Sequence, residues 1–134
     1  MMGASKGSSG GPSCFYVIED DPDHQKIAEM TLHAAGINNI ILFSTGEEAM
    51  EFFTASDPAV EAVILIDLML PNIGGLEILQ RLRKDSRWGS CHMVVLTCST
   101  SSADRSRSQE LGADDFQSKP LSLEYVQKIL SSDR

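Results

Sequence analysis

Ala62-Val63-Ile64-Leu65-Ile66-Asp67-Leu68-Met69-Leu70-Pro71 is the stretch that sets the fold class of this chain. Its apolar run reads as a strand over 63–66 buried on both faces, because a strand with one wet face would alternate apolar with polar residues. The run ends on Asp67, and a carboxylate at the mouth of a buried strand is costly unless a neighbour favours its charge. Working outward, three more runs end on polar groups. Phe15-Tyr16-Val17-Ile18 stops at Glu19-Asp20-Asp21, and Met93-Val94-Val95-Leu96 stops at Thr97. Asp115-Phe116-Gln117 is a weaker strand, followed by Lys119-Pro120. Ile40-Ile41-Leu42-Phe43 completes a set of five predicted strands.

Helical patterns fill the intervals. Asp21-Pro22 supplies an N-cap carboxylate and a proline at the first helical position. The helix it opens carries Ile27, Met30 and Ala34 toward the core and ends at Gly36. Ser44 with Glu47 fits a capping box for a second helix bearing Ala49, Phe52 and Phe53. Leu76, Leu79 and Leu82 share one face of a third helix that runs to about Lys84. Ser101 with Asp104 opens a fourth helix ending at Leu111-Gly112, and Ser122 caps a fifth with Leu123, Val126, Ile129 and Leu130 inward. Five βα units in series predict an α/β domain with a parallel sheet covered on both faces. Right-handed crossovers place every carboxyl end on one edge, where such sheets bind ligands at the reversal of strand order. Glu19, Asp20, Asp67, Thr97 and Lys119 all fall on that edge.

Composition narrows the function classes. The 134 residues are 42% hydrophobic and 22% charged, ordinary values for one globular domain, which we place at 14–134 after a flexible Gly/Ser-rich tail over 1–13. A net charge of −8 disfavours direct binding to nucleic acid or to an anionic membrane. No apolar stretch reaches the roughly 20 residues that span a bilayer. Cys14, Cys91 and Cys98 are odd in number and irregular in spacing, which predicts reduced thiols in a cytoplasmic protein. His24, His33 and His92 share no metal-ligand spacing and read as surface residues, Trp88 as packing over a loop, and Arg105 and Arg107 as a solvated face or a partner surface.

The edge constellation reads as phosphoryl chemistry. Carboxylates converging without His or Cys select a hard cation such as Mg²⁺, Mn²⁺ or Ca²⁺. A lysine and a threonine hydroxyl suit phosphoryl oxygens, and a carboxylate among them can act as the nucleophile.

These residues carry a resemblance. The chain is similar to the response-regulator receiver domains of two-component phosphorelay signalling in Val17-Ile18-Glu19-Asp20-Asp21, Ile66-Asp67-Leu68-Met69-Leu70-Pro71, Leu96-Thr97 and Lys119-Pro120, over about residues 14–131. The resemblance implies the doubly wound (βα)5 fold, flavodoxin-like or CheY-like, with strand order 2-1-3-4-5. It implies that Asp67 accepts a phosphoryl group from a sensor histidine kinase or a histidine phosphotransfer protein. Mg²⁺, with Mn²⁺ as the alternative, would be held by Asp20, Asp67 and the Met69 backbone carbonyl, with Glu19 binding directly or through water. Thr97 and Lys119 would bind the phosphate, Thr97 and Phe116 would form the switch, and a cis peptide would join Lys119 to Pro120.

The resemblance further implies self-catalysed phosphorylation and dephosphorylation rather than turnover of an external metabolite, a downstream protein target and, as a further option, a homodimer. Ending at Arg134, the chain is expected to be a free-standing receiver or one taken from a longer protein. Two positions depart from the family habit. Gly74-Gly75 lacks the usual acidic residue before the glycine, which is expected to loosen the start of the third helix. Cys98 stands where Ala or Ser is commoner, and could restrict phosphodonor access or slow hydrolysis. An aspartyl phosphatase or mutase would want an acid two residues past the nucleophile, where Met69 stands. A nucleotide- or flavin-binding domain would want a glycine-rich loop after the first strand. A binding-only module would not need Asp20, Asp67, Thr97 and Lys119 intact.

Overall fold

The structure is a computed structural model that describes residues 14–58, 61–98 and 101–131. The tail expected over 1–13 lies outside the described residues, as does the end of the expected domain at 132–134. Among the described residues the strands are β1 (Cys14–Ile18), β2 (Ile40–Phe43), β3 (Ala62–Asp67), β4 (His92–Thr97) and β5 (Asp115–Ser118). They alternate with α1 (Pro22–Ala34), α2 (Gly46–Ala55), α3 (Gly75–Lys84), α4 (Ser102–Glu110) and α5 (Leu123–Ser131). All neighbouring strands pair in parallel in the order β2-β1-β3-β4-β5, the 2-1-3-4-5 arrangement. The order reverses between β1 and β3, which opens a crevice at their carboxyl ends.

The pleat divides the apolar runs between two cores. Tyr16, Ile18, Ile64, Ile66, Met93 and Val95 face α2 and α3, while Phe15, Val17, Val63, Leu65, Val94 and Leu96 face α1 and α5. Both sets are buried, which is why the strands read as continuous rather than alternating. Asp67 is the last residue of β3 and is buried with the run.

Four local expectations are corrected. Helix α1 turns Ala28 and Leu32 to the sheet and leaves Ile27 41% and Met30 61% exposed. The inward stripe is rotated by one residue because the small Ala28 side chain lets the helix approach. The cap of α2 is Thr45, not Ser44: Thr45 Oγ1 accepts from the Glu48 N–H at 3.0 Å, and Glu48 Oε1 accepts from the Ser44 N–H at 2.8 Å. Ser44 Oγ is engaged elsewhere, accepting from Gln25 Nε2 at 3.1 Å. Leu123 is half-exposed, and Tyr125 is buried with Val126 instead, its hydroxyl donating to Asp115 Oδ2 at 2.7 Å. Trp88 is fully buried rather than laid over a loop. It meets Phe53 edge-on at 4.6 Å and Tyr16 at 5.5 Å, and its Nε1–H donates to the Phe53 carbonyl at 2.9 Å.

The two glycines before α3 have different work. Gly75 is fixed by close packing, since a Cβ there would run into the carbonyl oxygen of Asp67. The backbone at Gly75 thus lies directly against the end of β3. Gly74 is the N-cap, has no side-chain cap and has open space where a Cβ would stand. Gly74→Ser is expected to raise stability by about 0.5 kcal/mol, by capping α3 and restricting the unfolded chain. A higher urea midpoint at unchanged m-value would show it.

Candidate functional site

The carboxyl edge of the sheet brings together most of the residues singled out above. β1 delivers Glu19 and Asp20, β3 delivers Asp67, β4 delivers Thr97, and the loop after β5 delivers Lys119. The Lys119 N–H donates to the Thr97 carbonyl at 2.9 Å, continuing the β4–β5 pairing past the strand end, and the Lys119–Pro120 peptide is cis. Lys119 thereby points across the crevice.

Its ammonium is the centre of the site. Nζ lies 2.6 Å from Glu19 Oε1 and 3.2 Å from Asp67 Oδ2. The resemblance implies a resting pair with Asp67; the shorter contact goes to Glu19. All three side chains are less than a tenth exposed. Glu19 Oε2 accepts from the Asp21 N–H at 3.0 Å, so both its carboxylate oxygens are engaged. Asp67 Oδ1 accepts from the Met69 N–H at 3.1 Å, which sets the carboxylate and leaves Met69 exposed. Burial pushes the Glu19 pKa up further than the Lys119 and Asp21 donors pull it down, and the Asp67 charge adds to the rise. Burial works against the Lys119 charge, but the Glu19 hydrogen bond and the Asp67 charge outweigh it and hold its pKa above the ordinary lysine value.

Glu19, Asp20 and Asp67 each offer a carboxylate oxygen within 4.8 Å of the others, with Asp20 exposed at the rim. An all-oxygen donor set of this kind suits a hard divalent cation. Asp21 belongs to helix α1 instead: its Oδ1 accepts from the His24 N–H at 3.3 Å and the Asp23 N–H at 2.8 Å, and these backbone donors hold its pKa below the usual carboxylate value.

Thr97 is fully buried at the end of β4, and Phe116 is buried on β5, paired in register with Val95. The Arg105 guanidinium lies 4.9 Å from the centroid of the Phe116 ring, so this arginine of α4 covers the aromatic rather than only facing solvent. Cys98 is exposed and lines a cavity of 230 Å³ together with Ile27, Lys119 and Leu121.

Sequence reasoning missed two residues here. His24 reaches Lys119, with its Nδ1 3.2 Å from Nζ. Gln25 Nε2 donates to the Glu19 carbonyl at 2.7 Å and to the Phe43 carbonyl at 3.3 Å, tying α1 to the ends of β1 and β2. The Asp21-Pro22 helix start was the available signal, since it fixes which residues of the first turn lean over the edge.

Comparison with known proteins agrees with this fold. Residues 15–131 match the family described as response regulator receiver domain. The transcriptional regulatory protein TrcR of Mycobacterium tuberculosis is 33% identical over 119 residues, which cover 89% of this chain and 44% of that protein. The chain spans about half the length, or less, of the curated relatives it matches. Among solved structures, the Mn(2+)-bound form of response regulator Rcp1 is 26% identical with a TM-score of 0.73, covering 89% of each chain. The Vibrio cholerae chemotaxis protein CheY4 shares the fold with a TM-score of 0.76 at 22% identity, covering 90% of this chain and 97% of its own.

Proposed function

The chain belongs to the response regulator receiver family, and we propose that Asp67 is its phosphoacceptor, taking a phosphoryl group from a phosphohistidine of a sensor histidine kinase or histidine phosphotransfer protein. The observation that carries this reading is the meeting of Asp67, Lys119 and the Glu19–Asp20 pair at one strand edge, with the Lys119 ammonium 3.2 Å from Asp67 Oδ2.

The cation is Mg²⁺, with Mn²⁺ able to use the same ligands: Asp20, Asp67, the Met69 carbonyl, and Glu19. When bound it neutralises charge in the acidic cluster and on the transferring phosphoryl group. In the transfer, an Asp67 carboxylate oxygen forms the new bond to phosphorus as the phosphorus–nitrogen bond breaks and its electron pair returns to the donor imidazole. The Met69 N–H orients the carboxylate, and Lys119 offsets charge on the phosphoryl oxygens.

The product carries roughly two added negative charges. Thr97 turns its hydroxyl toward them and Phe116 follows, which shifts the face formed by α4, β5 and α5 for a downstream protein target or a second copy of the chain. The reaction is a self-catalysed transfer with slow hydrolysis, not turnover of a metabolite. The charge of −8 supports a protein partner over nucleic acid or membrane for this domain. Among the described residues no helix is long and apolar enough to cross a membrane. Three free thiols fit a reducing compartment, which we take to be the cytoplasm.

Incubation with Mg²⁺ and acetyl phosphate is expected to add one phosphoryl group, read by intact mass and mapped to Asp67. Chelating the cation with EDTA should abolish the uptake. An unmodified mass, together with no spectral response to a beryllofluoride mimic, would leave only a binding module.

A further inference from the structure

His24 enters the site from the first turn of α1. Asp21 caps that turn and fixes its direction, accepting from the His24 N–H at 3.3 Å. The imidazole Nδ1 lies 3.2 Å from Lys119 Nζ, 3.8 Å from Glu19 Oε1 and 3.9 Å from Asp21 Oδ2. An ammonium only donates, so in this contact Nδ1 is the acceptor, as the Nε2–H tautomer allows. Lys119 has three N–H groups and meets three acceptors: Glu19 Oε1 at 2.6 Å, Asp67 Oδ2 at 3.2 Å and His24 Nδ1 at 3.2 Å. Its donor capacity is filled, and among the described residues His24 is the one of these acceptors that is not a carboxylate.

Those three contacts differ in what else claims them. Glu19 belongs to the cation cluster, and Asp67 is both cluster member and acceptor of the phosphoryl group. A cation held by the cluster would compete with the ammonium for Glu19 Oε1. The long lysine stem then has space to move, since the 230 Å³ cavity beside it runs between Ile27, Pro120 and Leu121. His24 has no part in the cluster and keeps its hold on Nζ. Resting on the phosphoacceptor reading of Asp67, we propose that His24 is a positioning residue for phosphoryl transfer. It acts through Lys119, keeping the ammonium beside Asp67 while Glu19 is engaged elsewhere.

The test compares His24→Leu, which removes the acceptor, with His24→Asn, whose side-chain oxygen stands close to the position of Nδ1. The first readout is the ¹⁵N signal of the Lys119 ammonium in the cation-free, unphosphorylated protein, where three bonded protons should exchange slowly. The second is the rate of phosphoryl uptake at saturating acetyl phosphate and Mg²⁺. One hydrogen bond of ordinary net worth corresponds to about a fivefold slower rate in His24→Leu, with an unchanged KM for acetyl phosphate. That variant should also lose the protected signal, and His24→Asn should keep both. A parent rate and signal in His24→Leu would overturn the role of His24 alone, as would equal losses in both variants. A parent protein that takes up no phosphoryl group would instead overturn the phosphoacceptor reading, and this role with it.

Discussion

Asp67→Asn is expected to take up no phosphoryl group from acetyl phosphate and Mg²⁺, while its folding stability stays within about 1 kcal/mol of the parent. The two halves have one origin. An amide matches the carboxylate in shape but presents no anionic oxygen to phosphorus, so the bond-forming step is lost rather than slowed. The fold keeps most of what Asp67 contributes. An asparagine oxygen can accept the Met69 N–H that Asp67 Oδ1 accepts now, and Lys119 keeps its 2.6 Å contact with Glu19 Oε1. What is lost is the 3.2 Å contact to Nζ. What is gained is relief of the Asp67 charge, which contributes to the raised Glu19 pKa. Intact mass and urea unfolding of one preparation decide both halves. An adduct of undiminished yield on Asp67→Asn would place the acceptor on another residue, and a stability loss well beyond 1 kcal/mol would make Asp67 a structural partner first.

Much of this was legible because of where polar residues interrupt apolar ones. Asp67, Thr97 and the Glu19–Asp20 pair each end an uninterrupted buried run, and parallel topology turns that one-dimensional fact into a shared edge. The phase of α1 was not legible. Ile27 and Met30 are the larger apolar residues, yet a helix lying on a sheet gains from a small contact residue, and Ala28 takes that place. Contacts between distant parts of the chain leave no periodic trace either. Trp88 bonds a carbonyl 35 residues away, and Lys119 meets His24 across 95. Arg83 is similar, donating to the carbonyls of Gly112 and Cys91 and to Asp114 Oδ2, where helix periodicity alone marks it as a surface charge. The Arg105–Phe116 contact belongs to the same class.

Lys119→Met is expected to cost about 3 kcal/mol of stability without divalent cation and to recover most of it with Mg²⁺, because breaking a buried ion pair strands its partners. Glu19 and Asp67 would face each other across the space the ammonium leaves, both nearly shut off from solvent. One of them must then take a proton, be hydrated by a local opening, or find another cation. On the proposed reading Mg²⁺ is that cation: at about 100 times its Kd it would contribute about 2.7 kcal/mol to the folded state, close to the deficit. The same substitution should tighten Mg²⁺ binding, since the ammonium no longer competes for Glu19 Oε1 at 2.6 Å. Phosphoryl uptake should move the other way and slow by about a hundredfold, because a cation that binds the carboxylates does not replace the preorganised donor on the phosphoryl oxygens. Thermal unfolding titrated with Mg²⁺, run beside uptake rates, separates these effects. A variant equally unstable with and without Mg²⁺ would show that Lys119 supports the edge by packing rather than by charge. A variant that takes up phosphate at the parent rate would remove the lysine from the chemistry.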